Sequence, residues 1–253
     1  ILDIQSGNIL AAASRPFFDP NNPAETMGFQ DNQVERVIDY KVYPGSVFKI
    51  ITAAAALEEE IVTPESKFIC NGSSPDFRVQ CPRAHGEITF SEAMERSCNV
   101  TFVQVGLNLG REKLTQYITE KFGIQPIPGK ALDSSEAIAH GIIGQVIFQV
   151  SPLEMANIMA TIARDGYHQE LIDPWETRLI QSIKTYTQLP HYKQIYSRET
   201  AQMLKEILKA TNQKGSGRRA WLENYGSAGK TGTPQANGLG DYMAWYTGYA
   251  PLD

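Results

Sequence analysis

The order of three short motifs constrains this chain more than any other feature of its sequence. Four-residue patterns occur by chance in most proteins, so each motif alone carries little weight. The three follow one another as Ser46-Val47-Phe48-Lys49, Ser97-Cys98-Asn99 and Lys230-Thr231-Gly232-Thr233. With the first at a helix start and the last on a strand, they indicate an acyl-transfer site with a serine nucleophile.

The first motif combines a nucleophile with a base. Ser46 and Lys49 are three residues apart, so a helix places both side chains on one face. Lysine acts as a base only when burial or a second cation lowers its pKa, and Lys230 is the candidate for that cation. The backbone N–H of Ser46 is a candidate for half of an oxyanion hole. The alternative is an ordinary helix cap beside a solvated lysine.

The second motif offers a proton relay and an amide-binding group. Ser97 and Asn99 project the same way if the turn that holds them is extended. A hydroxyl can pass on a proton, and a carboxamide can donate to and accept from a substrate amide. The alternative is that both residues cap the helix that follows.

The third motif lies on a predicted edge strand. Its glycine, Gly232, lets a ligand or a neighbouring backbone approach closely. Lys230 and Thr233 are candidates for binding a carboxylate, and the Thr233 N–H is a candidate for the other half of the oxyanion hole. The alternative is a surface strand with a solvated lysine.

The layout of elements predicts an α/β (α+β) fold. Apolar runs around a turn predict a hairpin over 1–13, and small or aromatic runs predict strands over 228–233 and 244–250. Helix signals fill the middle, including capping boxes at Thr89 and Ser151. We therefore expect an antiparallel sheet built from both chain ends, flanked by helices, with an inserted mainly helical lobe at roughly 50–215.

Charge and hydropathy exclude some functions. The chain has 253 residues and a net charge of −5, which argues against nucleic acid as the main partner. No apolar run reaches the roughly 18–20 residues of a membrane span. Because the sequence opens and stops within strand-like patterns, we expect one domain over 1–253 that is incomplete at both ends.

The three cysteines leave the thiol chemistry open. An odd number means that at least one is unpaired or intermolecular. Cys70 and Cys81 share one loop-like stretch and are candidates for a local disulfide, while three reduced thiols, with Cys98, are the alternative. Because no C-x-x-C pattern is present, we expect no zinc site.

The motifs and their surroundings resemble the transpeptidase domain of class B penicillin-binding proteins. The resemblance covers nearly the whole chain and includes Tyr43-Pro44-Gly45 before Ser46, Gly141-Ile142-Ile143-Gly144-Gln145 and Trp245-Tyr246-Thr247-Gly248. It implies the fold of serine β-lactamases and transpeptidases. Pro234 and Val146 depart from the family pattern, since a small residue and a glycine are usual there.

The resemblance also implies a reaction. Ser46 would attack a peptidoglycan stem peptide ending in D-Ala-D-Ala, with Lys49 as base and Ser97 as proton relay. Asn99, Lys230, Thr231, Gly232 and Thr233 would line the substrate site, and β-lactams would acylate Ser46. No metal or cofactor is implied. Membrane partners and an anchor outside this chain, with the domain on the extracytoplasmic face of a bacterial membrane, are expected. A β-lactamase and a β-lactam-sensing receptor are the alternatives.

Overall fold

The computed structural model describes residues 1–15, 19, 21–22, 36–38, 40–170, 191–236 and 241–252. In these ranges the α-helices are α1 (Lys49–Glu58), α2 (Phe90–Glu95), α3 (Asn99–Thr115), α4 (Ser135–Ile142), α5 (Pro152–Ala163) and α6 (Arg198–Lys214). The strands are β1 (Lys67–Cys70), β2 (Ser73–Ser74), β3 (Val79–Gln80), β4 (Gly86–Thr89), β5 (Tyr167–Gln169), β6 (Tyr192–Gln194), β7 (Ala228–Gly232), β8 (Gln235–Ala236), β9 (Asp241–Tyr242) and β10 (Trp245–Tyr249).

Helix α1 is the centre of the core. Every residue from Lys49 to Leu57 is buried, as expected for a helix that is apolar on all sides. It packs against α3 and α6, and its four consecutive alanines, 53–56, let these neighbours approach closely. Phe48, just before α1, stacks on Phe148 with ring centroids 5.3 Å apart. The first motif is therefore anchored to the best-packed element of the fold.

Side-chain caps fix the helix starts that the sequence predicts. The Thr89 hydroxyl accepts from the Glu92 N–H at 3.2 Å, and the Glu92 carboxylate accepts from the Thr89 N–H at 2.9 Å. Ser151 and Glu154 make the same reciprocal pair at the start of α5. Both predicted capping boxes are confirmed. Helix α3 is interrupted at Gly110, whose backbone is non-helical.

The strands are antiparallel, but their pairing differs from the expectation of one sheet made from both chain ends. In the described ranges the sheets are two-stranded, and β7 pairs with β10. The N-terminal hairpin is confirmed as a Leu2–Ile9 bridge. Two backbone hydrogen bonds cross the hairpin. The Asp3 N–H donates to the Asn8 carbonyl and the Leu10 N–H donates to the Ile1 carbonyl, both at 2.9 Å. The proposed boundary of the helical lobe stays a prediction.

Two glycines let the chain before α1 fold tightly against another loop. The Gly45 N–H donates to the Gly144 carbonyl at 2.9 Å. Gly144 has a φ of +73°, and a Cβ there would lie 2.2 Å from the Gly45 oxygen. Only glycine fits such an approach, because both the backbone conformation and the space exclude a side chain. The segment that carries Ser46 is therefore seated on this loop.

We predict that Gly144→Ala destabilises the protein by about 3 kcal/mol or more, because left-handed strain adds to overpacking. Gly123→Ala is the matched control, since Gly123 also has a positive φ but open space at its Cβ position. It should cost only about 1–2 kcal/mol. Urea unfolding of both variants measures the difference, and equal costs would contradict the close contact between Gly144 and Gly45.

Candidate active site

Ser46 lies in a 3₁₀ turn and not at the first position of an α-helix. The turn spans Gly45–Phe48 and runs directly into α1. The expected α-helix start at Ser46 is therefore wrong by three residues, because α1 begins at Lys49 and Ser46 lies in the 3₁₀ turn before it. In a 3₁₀ turn the residues i and i+3 eclipse each other, so Ser46 and Lys49 still share one face. Ser46 is half-buried and Lys49 is fully buried.

The Lys49 ammonium uses all its donors on the second motif. Its Nζ donates to the Ser97 carbonyl at 2.8 Å, to Asn99 Oδ1 at 2.6 Å and to Ser97 Oγ at 3.3 Å. An ammonium has three N–H donors, so this set is complete. Within the described ranges Ser46 is not a hydrogen-bond partner of Lys49. The structure thus joins the first two motifs through Lys49 and Ser97.

Lys230 reaches the same hydroxyl from the sheet. It is fully buried on β7, and its Nζ donates to Ser97 Oγ at 3.0 Å and to the Thr231 carbonyl at 2.9 Å. Ser97 has a φ of +55°, a conformation that L-residues rarely adopt outside functional or strained sites. The Ser97 hydroxyl therefore bridges two lysines from different elements, and all three motifs meet at one atom.

Burial sets the protonation of both lysines. It lowers the pKa of Lys49 to about 8, while negative charge at Cys98 and Cys81 opposes this shift. Burial, followed by the charge of Lys49, lowers the pKa of Lys230 well below its usual value. Of the two causes considered for the lowered pKa of Lys49, burial and a second cation, burial is therefore the main one. Lys49 can exist as a free amine, the form that accepts a proton, near neutral pH.

Asn99 is oriented by the protein itself. Its Oδ1 accepts from Lys49, and its Nδ2 donates to the Gln80 carbonyl at 2.6 Å. Gln80 was missed by sequence reasoning, because a backbone carbonyl on a distant strand, here β3, leaves no side-chain signal. The contact fixes the carboxamide plane beside Ser97, which a cap role alone would not require.

The third motif packs against the turn that carries Ser46. A Cβ on Gly232 would lie 2.7 Å from the Pro44 carbonyl oxygen and 3.2 Å from the Val47 nitrogen. Gly232 therefore serves the approach of a neighbouring backbone, one of the two uses expected for it. Thr231 is half-buried, and Thr233 is exposed just beyond the end of β7.

The cysteines are free, and the candidate Cys70–Cys81 disulfide is absent. Their sulfurs are 3.8 Å apart, compared with about 2.05 Å in a disulfide. Cys98, between Ser97 and Asn99, caps α3 by accepting from the Thr101 N–H. Contrary to the expected absence of a metal-binding pattern, the fold gathers Cys70, Cys81, Cys98 and His85 into one group. The Cys81-x-x-x-His85 spacing was the signal that sequence reasoning missed.

Comparison with known proteins places this geometry in a family. The family model described as "Penicillin binding protein transpeptidase domain" matches residues 1–253. The chain belongs to this family. The expected resemblance is thereby confirmed, and the match extends from the N-terminal hairpin through all three motifs.

Individual relatives agree with the family assignment. Stage V sporulation protein D of Bacillus subtilis is 32% identical over 278 residues, which cover 98% of this chain and 42% of that protein. Peptidoglycan D,D-transpeptidase PbpA of Mycolicibacterium smegmatis is 29% identical, with 99% and 58% covered. The chain thus spans about half the length of these relatives. In its described part no helix is long and apolar enough to cross a membrane.

Solved structures confirm the fold class. A D,D-transpeptidase domain from Eggerthella lenta superposes with a TM-score of 0.83 at 24% identity, covering 99% of this chain and 69% of that one. Penicillin-binding protein A from M. tuberculosis, solved as an imipenem acyl-enzyme complex, gives 0.75 at 25% identity, with 99% and 65% covered. The mixed α/β fold of transpeptidase domains is therefore established for this chain.

We predict that the free energy of unfolding rises with pH above about 8 because of Lys49. The unfolded chain keeps a lysine proton up to about pH 10.4, whereas the folded chain loses it near 8. Between these values the unfolded state binds more protons, so stability increases with pH by about 1.4 kcal/mol per unit at most.

The comparison that isolates this effect is Lys49→Met against Lys130→Met, which changes an exposed lysine. Urea unfolding from neutral to alkaline pH should show the rise in the Lys130→Met variant and a smaller rise in Lys49→Met. The same pH dependence in both variants would contradict the lowered pKa of Lys49.

Proposed function

We propose that this chain is the catalytic domain of a peptidoglycan D,D-transpeptidase that acts through an acyl-enzyme on Ser46. The observation that carries the proposal is the convergence of two fully buried lysines on the Ser97 hydroxyl, one of them three residues after Ser46. A buried pair of amines with lowered pKa values is expensive to maintain unless it serves proton transfer. The family and the name of the PbpA relative support the same reaction.

Acylation begins at Ser46. The free amine of Lys49 takes the Ser46 proton, and the Ser46 oxygen attacks the carbonyl of the penultimate D-Ala of a stem peptide. The C–N bond to the terminal D-Ala breaks as the tetrahedral intermediate collapses. The proton on Lys49 passes through Ser97 Oγ, its hydrogen-bond partner at 3.3 Å, to the departing amine.

Transfer reverses these proton movements. An amino group from a neighbouring stem peptide attacks the acyl-enzyme carbonyl and forms the new amide bond. Its surplus proton returns through Ser97 and Lys49 to the Ser46 oxygen, which leaves as a hydroxyl. Lys230, 3.0 Å from Ser97 Oγ, supplies a second proton donor to the relay. The cycle therefore needs no group beyond these side chains and the two substrates.

The substrate-binding roles follow from positions beside the relay. Asn99 holds a substrate amide, and Lys230, Thr231, Gly232 and Thr233 form the edge that receives the terminal carboxylate. The N–H groups of Ser46 and Thr233 make the oxyanion hole. The approach of Gly232 to Val47 supports this last role, because it brings the end of β7 beside the Ser46 turn.

β-Lactams are expected to acylate the same serine, since the M. tuberculosis neighbour is described as an imipenem acyl-enzyme complex. We assign the domain to the extracytoplasmic face of a bacterial cell membrane, with the anchor and the contacts to other cell-wall synthesis proteins outside this chain. The name of the PbpA relative, a peptidoglycan D,D-transpeptidase, agrees with a role in wall synthesis.

We predict that benzylpenicillin forms a covalent adduct on Ser46 that persists for hours, followed by intact-protein mass spectrometry. Ser46→Ala should abolish the adduct, whereas Ser216→Ala, which changes an exposed serine, should not. Ser97→Ala should slow adduct formation by about 100-fold, because a proton relay is lost.

Release of D-Ala from a stem-peptide mimic then separates the proposed enzyme from its rivals. Turnover together with a stable adduct supports the transpeptidase. A stable adduct without D-Ala release would favour a β-lactam-sensing receptor, and rapid loss of the adduct with penicillin hydrolysis would favour a β-lactamase. Failure of the folded protein to form any adduct would overturn the role of Ser46.

A further inference from the structure

Four potential metal ligands lie together directly behind the Ser97–Asn99 turn. They are Cys70, Cys81, His85 and Cys98, whose ligand atoms all lie within 4.8 Å of one another. Cys70 ends β1, Cys81 follows β3, His85 precedes β4 and Cys98 caps α3. Three segments thus converge on one point, since Cys81 and His85 share the connection between β3 and β4, and all four residues lie outside the set used by the proposed reaction.

The spacing of the sulfurs fits a tetrahedral ion. Cys81 Sγ lies 3.8 Å from both Cys70 Sγ and Cys98 Sγ. A tetrahedral zinc with Zn–S bonds of about 2.3 Å separates its sulfur ligands by about 3.8 Å. A disulfide would require about 2.05 Å and would leave the third thiol without a partner. Three thiols and one imidazole form the donor set of many structural zinc sites.

The surroundings supply the outer contacts that such a site needs. The Asn99 N–H donates to Cys81 Sγ at 3.2 Å, and the Thr101 N–H donates to Cys98 Sγ at 3.4 Å. Both donors belong to the first turn of α3, where the helix dipole favours negative charge. Backbone N–H groups of this kind stabilise metal-bound thiolates and fix their direction.

One polar atom of the group lacks a partner. Nδ1 of His85 is buried and has no hydrogen bond within the described ranges. A buried imidazole nitrogen without a hydrogen-bond partner is unfavourable. A bound metal ion would give this nitrogen a partner. Cys70 and Cys98 are fully buried, while Cys81 and His85 are partly exposed as whole residues, so the group lies at the edge of the core.

We propose that Cys70, Cys81, His85 and Cys98 bind one zinc ion that holds the Ser97–Asn99 turn in place. The thiols bind as thiolates and release their protons to solvent, with no change of oxidation state. The ion ties the segment 70–86 to Cys98, whose two neighbours are Ser97 and Asn99. It thereby acts as a positioning device for the relay hydroxyl and the carboxamide. Zinc binding itself does not depend on the proposed function. The expected effect of zinc on the acylation of Ser46 does rest on the proposed function.

The test starts with the whole chain purified under reducing conditions without chelator. Elemental analysis should find one zinc per chain, and Co²⁺ in its place should give the visible absorption of a tetrahedral thiolate site. His85→Ala should weaken zinc binding by more than about 100-fold in competition with a chromophoric chelator, beyond the loss typical of an outer-shell partner. His191→Ala, an exposed histidine, is the matched control and should bind zinc normally.

His85→Cys is the rescue variant, because a fourth thiolate can replace the imidazole, and it should recover most of the affinity. Chelation should slow acylation of Ser46 by benzylpenicillin, and Ser46→Ala should keep its zinc while losing acylation. Those two results separate a failure of the zinc site from a failure of the proposed reaction. Substoichiometric zinc that is insensitive to His85→Ala, or a disulfide among these cysteines that persists in the folded protein purified under reducing conditions, would overturn the proposal.

Discussion

Two buried ammonium groups share one hydroxyl, and the rest of the site depends on this arrangement. Lys49 and Lys230 both donate to Ser97 Oγ, and neither side chain is exposed to solvent. Burial makes the charged form of each lysine unfavourable and lowers both pKa values, and the charge of Lys49 lowers the pKa of Lys230 further. A lysine that gives up its proton near neutral pH is what a serine nucleophile needs from its base.

The scaffold delivers this arrangement through backbone packing. Helix α1 is buried along its length and fixes Lys49, while β7 carries Lys230 up to the same point. Gly144 lets its loop approach the turn that holds Ser46, and Gly232 lets strand β7 approach the same turn. Two further contacts hold the turn that contains Ser97. The Asn99 side chain donates to the Gln80 carbonyl, and Cys98 packs among the other thiols of the cluster. The side chains of the proposed proton relay come from three distant segments, and most of the contacts that place them lie outside the relay itself.

Much of this site could be predicted from sequence, because motif order and helix caps are local signals. The capping boxes at Thr89 and Ser151 and the placement of Ser46 and Lys49 on one face follow from short-range spacing. What sequence did not predict depends on tertiary contacts. In the described ranges the strands form two-stranded antiparallel sheets, and only the packed structure decides between the two causes considered for the lowered pKa of Lys49, in favour of burial. The approach of His85 to Cys98 is invisible along the chain, because it arises only when β1 and β3 pack against α3.

The pH dependence of Ser46 acylation tests the central claim most directly. The second-order rate constant for benzylpenicillin should rise through a pKa of about 8 and then level off, as Lys49 becomes a free amine. Lys49→Met should lower the rate by a factor of about 100 to 10,000 and remove this rise. A rate that stays constant or falls across this range in the unaltered protein would contradict Lys49 as the base.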